Sequence, residues 1–185
     1  MTAIGVFCAS SRQLDGRWLD LAHEIGTELG RRGHTLVSGG GCVGMMGAVA
    51  AGARASGAYT LGIIPQALVD LEVADRDEDE LVVTADMSAR KNLMIAKSDA
   101  FLTLPGGLGT LDELFEVWTT ATLAVHTKPV VLLDVDGHFA GLRAWLAGLV
   151  DSGFVHAEAV RLLVVAESVP SAFEAIERGV HGWTR

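Results

Sequence analysis

Seven short apolar runs, separated by longer stretches with helical spacing, limit this chain to very few architectures. The runs are "AIGVFCA", "HTLVSG", "YTLGIIP", "LVVTA", "AFLTLP", "PVVLLD" and "LLVVA". Most are continuously apolar instead of alternating with polar residues, the pattern of strands covered on both faces. The intervening segments read as helices. Residues 15 to 32 place Leu19, Ala22, Ile25, Gly26 and Leu29 at helical spacing before Gly33, and "GMMGAVAAGARAS" is a small-residue helix able to pack closely. "MSARKNLMIAKS", residues 110 to 125, a stretch after residue 134 and a segment begun near Pro170 supply the others. Strand followed by helix from end to end implies a parallel sheet with right-handed crossovers and helices on both faces. The expected fold is therefore α/β, three-layered and Rossmann-like. No linker or repeat divides residues 1–185, and a half-hydrophobic chain of that length suits one domain.

Charge and cysteines narrow the function. A formal net charge of -9, with no basic run beyond Arg31 and Arg32, excludes a broad nucleic-acid surface, so any anionic ligand must be held locally. Cys8 and Cys42 form no CxxC and imply neither a disulfide framework nor a metal site; a reducing cytosol is expected. The N-terminus has no basic region ahead of a long apolar run. No stretch reaches the roughly 18 to 20 apolar residues of a membrane span, so no membrane partner is expected. The acidic run at 66 to 80, "QALVDLEVADRDEDE", reads as a solvated loop.

In a sheet of this type ligands sit beyond the carboxyl ends of the strands. Three loops there carry chemistry: "CASS" at 8 to 11, "SGGGCVGMMG" at 38 to 47 and "PGGLGT" at 105 to 110. Gly39, Gly41 and Gly44 spell GxGxxG, but the motif follows the second strand and the next strand ends without an acid for a ribose hydroxyl. No dinucleotide cofactor is expected. Gly40 and Gly41 remain candidates for backbone approach to a phosphate or sugar, the alternative being close helix-to-strand packing. The loop at 105 is more specific. Pro105 stiffens the strand exit, Gly106, Gly107 and Gly109 permit positive φ and close approach, and Thr110 offers an N-cap hydroxyl, together a phosphate cradle at a helix mouth. No lysine follows the glycines, so it is not a nucleoside triphosphate loop.

Thr110 and Glu113 also satisfy the capping box T-x-x-E, in which the glutamate merely bonds the cap N–H. Against that role, Asp112, Glu116, Thr119 and Thr120 share one helical face, the wet one, and Glu113 lies with Leu114, Val117 and Ala121 on the inward side. An inward acid beside a phosphate site is a functional candidate. Its partner is sought on "DMSARKNLMIAKS", where Met87, Arg90 and Met94 line one stripe with Lys91 adjacent. Arg90 could reach past the methionines to solvent, or clamp a ligand and orient a carboxylate. His126 and the four tryptophans read as packing or interface residues.

Taken together, "SGGG" with "GMMG", "GIIP", M-x-x-RK at 87 to 91, "PGGLGTLDE" at 105 to 113, "HTKP" at 126 and "DGHF" at 136 resemble the LONELY GUY (LOG) family of cytokinin riboside 5′-monophosphate phosphoribohydrolases over essentially the whole chain. The resemblance implies hydrolysis of the bond between an adenine-type base and ribose 5-phosphate, with no metal and no organic cofactor. It implies Arg90 and Glu113 as the catalytic pair. Gly106, Gly107, Gly109 and Thr110 would bind the 5′-phosphate, with Met87, Lys91, Gly40 and Gly41 also at the nucleotide. Family members have been labelled lysine decarboxylases, yet no pyridoxal-phosphate lysine signature is present. The resemblance further implies a homodimer, and "TTATLAVH", which a monomer would leave partly exposed, agrees with it. Leu108 stands where the family commonly has tyrosine, "SARK" where it has "HERK", and "WTTATL" where it has W-x-Q-L, which bears on the base side of the pocket. A non-catalytic nucleotide-binding module of the same fold is the alternative function; it would have no need of Glu113.

Overall fold

Every one of the seven apolar runs forms a strand in the computed structural model, which describes residues 1–71 and 73–182. The strands are β1 (Ala3–Phe7), β2 (Thr35–Ser38), β3 (Thr60–Pro65), β4 (Glu80–Thr84), β5 (Ala100–Thr103), β6 (Val130–Leu133) and β7 (Leu163–Ala166). All pair in parallel, in the order β4-β3-β2-β1-β5-β6-β7. Strands β3, β5 and β6 are buried at every position, whereas β4 and β7 close the two edges and carry exposed residues. Continuous apolar runs thus mark strands with a layer on each side.

The helices are α1 (Gly16–Arg31), α2 (Gly44–Ala55), α3 (Gln66–Val69), α4 (Met87–Lys97), α5 (Leu108–Thr122), α6 (Ala140–Asp151), α7 (Ala157–Arg161) and α8 (Val169–Gly182). One face of the sheet packs Ile4, Leu36, Leu102 and Val131 against Ile25 and Leu29 of α1, Met45 and Val49 of α2, and Phe173 of α8. The other packs Phe7, Val37, Phe101 and Leu132 against Met94 of α4, Leu114 and Val117 of α5, and Leu146 of α6. Neighbouring strand residues such as Phe101 and Leu102 serve opposite layers, as the two-residue period of a strand requires. The small-residue character of α2 also has its reason. A Cβ on Gly26 of α1 would overlap the backbone of Val49 and Ala53, and one on Gly52 of α2 would overlap that of His23.

Strand order reverses beside β1, since the chain steps outward to β4 and then returns to the opposite side of β1 as β5. The loops after β1 and β5 consequently face each other. Ala9 N donates to Pro105 O at 3.3 Å, and Met45 N, at the loop after β2, donates to Ala9 O at 2.9 Å. All three glycine- or serine-bearing loops meet at this crevice.

The acidic run corrects its reading as a solvated loop. Its first residues form α3, and Val73 to Asp79 fold back over the loop after β2: Cys42 N donates to Val73 O and Asp75 N to Gly40 O, both at 2.8 Å. Asp75 and Glu78 are buried. Arg54 pairs with Asp75 at 3.0 Å and the Ser38 hydroxyl donates to Glu78 at 2.9 Å, so partners far along the chain satisfy what looked like surface charge. Burial raises the Glu78 carboxyl above its ordinary range.

Candidate active site

Helix α5 begins two residues before the expected cap. Gly107 is the N-cap, at φ −105° and ψ −147°, with no side-chain hydrogen bond, and Leu111 N is bonded to Gly107 O at 3.0 Å. Leu108, Gly109 and Thr110 therefore form the first turn, whose N–H groups have no acceptor within the helix. Thr110 is buried inside that turn, so the T-x-x-E capping box is not formed and Glu113 is free of that duty. Nor is positive φ the reason for the glycines here; it occurs at Gly40 and Gly44 instead. A Cβ on Gly107 or Gly109 would meet nothing, which leaves open space before the helix mouth, while one on Gly106 would overlap Thr110. Unpaired N–H groups and the helix dipole make this mouth a seat for an anion.

Glu113 lies one turn further in. Its Oε1 is 3.1 Å from Arg90 Nη1, and the two side chains are 9% and 7% exposed. Arg90 therefore does not reach solvent. Its Nε donates to Ile63 O at 3.1 Å, Nη1 lies 4.0 Å from Met87 Sδ, and the guanidinium rests on Gly39, where a Cβ would overlap Nη2. Burial pushes the Glu113 carboxyl up to about 7; Arg90 and Lys91 pull against that rise, and Asp112 and Glu116 add to it. A carboxyl in this range exchanges its proton near neutrality. The Cys8 thiol faces the same pair and is pushed well up by burial and by Glu113, which keeps it protonated and a poor nucleophile.

These groups open into one cleft of about 290 Å³. Met87, Arg90, Gly107, Gly109, Thr110 and Glu113 line it, and Met46, Leu68, Met87 and Leu108 supply apolar lining. Gly106 lies behind Thr110. Besides Gly106, three expected residues do not line the cleft. Lys91 turns to Asp112 Oδ2 at 2.9 Å and Glu116 Oε2 at 2.8 Å, outside the cleft wall. Gly40 and Gly41 hold the segment after α3 through the Gly40–Asp75 hydrogen bond and a bridge between Gly41 and Ala74, which uses their backbone for support.

Sequence reasoning missed Gly39, although "SGGG" contained it, and it missed Leu68, hidden in the acidic run. Cys8, Ala9 and Ser10 line the cleft from the "CASS" loop. His126 packs on Phe101 with Nε2 2.9 Å from Val117 O, and Trp118 is buried, donating to Ala159 O at 2.7 Å. Trp18 carries the Arg17 guanidinium 4.5 Å from its ring and Trp145 is exposed. Trp183 lies outside the described residues.

Comparison with known proteins gives the chain's relatives. Residues 46–176 match the family described as "possible lysine decarboxylase". A cytokinin riboside 5′-monophosphate phosphoribohydrolase of Mycobacterium tuberculosis is 52% identical over 172 residues, covering 93% of this chain and 91% of that protein. One from Mycobacterium marinum is 48% identical, at 95% and 94% coverage, and LOG3 of Arabidopsis thaliana 41% identical, at 95% and 80%. Among solved structures, the molybdenum cofactor carrier protein of Chlamydomonas reinhardtii aligns with a TM-score of 0.73 at 27% identity, over 97% of this chain and 98% of that one.

Proposed function

Because the chain belongs to the LOG family of cytokinin riboside 5′-monophosphate phosphoribohydrolases, we propose that it hydrolyses the N-glycosidic bond of adenine-type nucleoside 5′-monophosphates, releasing free base and ribose 5-phosphate. The observation that carries the reading is the buried Arg90–Glu113 pair, opening into the same cleft as the unpaired N–H groups of α5. The 5′-phosphate is seated at Leu108, Gly109 and Thr110, where backbone donors and the helix dipole meet a dianion. Glu113 is then placed on the sugar.

Cleavage sends the bonding electron pair out with the base and leaves positive charge on the ribose as an oxocarbenium-like centre. A carboxylate held in a dry site stabilises that charge far better than one in water. Water adds its oxygen to the anomeric carbon; one of its protons stays in the new hydroxyl and the other balances the departing base. With its proton equilibrium near neutrality, Glu113 can receive that proton from water. Arg90, fixed by Ile63 O and seated on Gly39, keeps the carboxylate aimed at the cleft. No lysine lines the cleft among the described residues, so the Schiff base a pyridoxal-dependent decarboxylase needs has no donor there. Family membership likewise makes the protein a hydrolase of this type and not a lysine decarboxylase.

The apolar lining residues Met46, Leu68, Met87 and Leu108 favour a base carrying an apolar substituent such as isopentenyl over plain adenine. Incubation with AMP and isopentenyl-AMP tests both points: free base and ribose 5-phosphate should appear in equal amounts, with the higher kcat/KM for the prenylated nucleotide. Saturable binding without products would instead identify a binding module. A second copy of the chain is the proposed partner. Leu123, Val125 and Phe154 are exposed, and Leu123 and Phe154 line a concavity of about 660 Å³ with Leu162, the kind of surface a two-fold contact covers. Leu123 lies ten residues, about 15 Å, beyond Glu113 along α5, so this contact supports the helix from its far end. The unpaired cysteines suit the proposed cytosolic setting.

A further inference from the structure

Adjacent residues on a helix point about 100° apart, so the Arg90-Lys91 pair sends two cations in different directions. Arg90 enters the cleft. Lys91 passes the other way, along Phe7, Ile95 and Val117, and ends between Asp112 and Glu116 at 2.9 and 2.8 Å with its side chain 17% exposed. Those two carboxylates stand one residue before and three residues after Glu113, so three acids crowd the second and third turns of α5.

We infer that Lys91 is a positioning residue: bound to Asp112 and Glu116, it grips the outer edge of α5 against α4 and neutralises the two carboxylates that flank Glu113. The inference rests on the reading of Glu113 as the reacting carboxylate. The groups facing Glu113 are Arg90 and Lys91 from α4, Asp112 and Glu116 from α5, and the neutral Cys8 thiol from the exit of β1. Burial, Asp112 and Glu116 resist ionisation of Glu113, and the two cations favour it. Losing the Lys91 charge acts twice, withdrawing one favourable charge and leaving two adverse ones uncompensated. Both partners also hold Lys91 protonated, so the clamp persists across the working pH range.

The test is the pH dependence of kcat for AMP hydrolysis in Lys91→Met, which keeps the shaft and removes the charge, beside Lys91→Arg, which keeps the charge. The acid limb should move to higher pH by about half a unit or more in the Met variant. It should stay near the wild-type position in the Arg variant and move back when Glu116→Gln is added to Lys91→Met. KM should change little, since Lys91 does not line the cleft. Thermal unfolding confirms that each variant is folded. A kcat lowered by one factor at every pH, with the limb unmoved, would reduce Lys91 to a helix tether and overturn the inference. A large rise in KM with the limb unmoved would place Lys91 on the nucleotide and overturn it equally. An active Glu113→Gln enzyme overturns the assignment of Glu113 and this inference with it; an inactive one beside an unmoved Lys91→Met limb overturns the inference alone.

Discussion

Replacing Gly39 by alanine should disable the site while leaving the sheet intact. The added Cβ would overlap Arg90 Nη2 and stand 3.1 Å from Cζ, so the guanidinium must retreat by about 1 Å or more to restore ordinary contact distances. Its two 3.1 Å bonds, to Ile63 O and to Glu113 Oε1, cannot both survive that shift. A misplacement of that size in a catalytic group lowers the rate by on the order of 100-fold. The fold loses about 1 to 3 kcal/mol from one unsatisfied buried group, tolerable for a domain of this size. The loss should also depend on pH. Arg90 opposes the rise of the Glu113 carboxyl, so its withdrawal moves that group further above about 7, and the deficit should be deeper at pH 6 than at pH 8. Steady-state release of base from AMP across that range, with thermal unfolding as the control, measures both effects. A folded Gly39→Ala enzyme with kcat/KM within about threefold of wild type would refute the seating of Arg90 on Gly39, since a shift of this size should cost far more.

Other substitutions separate the parts of the site. Gly107→Ala should lower the melting temperature only modestly, because its Cβ meets nothing and the cost is that of alanine at an N-cap, about 1 kcal/mol, yet raise KM for AMP by about tenfold; an unchanged KM would put the phosphate elsewhere. In the wild type, kcat should rise about tenfold from pH 6 to pH 8 as Glu113 ionises, and a flat profile would count against a reacting carboxyl with its midpoint near 7. Stability carries the opposite sign. Glu113 sits above its unfolded value of 4.5, so the stability it contributes is complete below that pH and is lost as pH climbs to about 7, at most about 3 kcal/mol relative to Glu113→Gln. Denaturant titrations of both proteins at pH 4.5 and 8 measure the difference, and a constant gap would contradict the burial of its charge. Leu123→Asp should convert a dimer into a monomer by light scattering at low micromolar concentration; a monomeric wild type would remove the proposed interface.

Much of the fold could be read from the chain because the inner strands are covered on both sides and so are written as apolar runs. Helix α5 was harder. Thr110 has the chemistry of a cap, but it lies within the first turn, and a glycine with no side chain takes the cap position. The Arg90–Glu113 pair was legible because each interrupts an inward-facing stripe. Lys91 was placed with its neighbour in sequence, although a helix separates adjacent residues by more than a quarter turn. Asp75 and Glu78 looked solvated because Arg54 and Ser38, which satisfy them, lie more than twenty residues away. Gly39 depends on where Arg90 ends up, which no local pattern states.

The most direct measurement compares wild type with Glu113→Gln on isopentenyl-AMP at pH 8, following free base and ribose 5-phosphate together with nucleotide binding. The account predicts both products in equal amounts from wild type, a loss on the order of 100-fold or more in the variant, and retained binding, because the phosphate seat on α5 is untouched. Near wild-type turnover by Glu113→Gln, or a wild type that binds the nucleotide and leaves it whole, would contradict it.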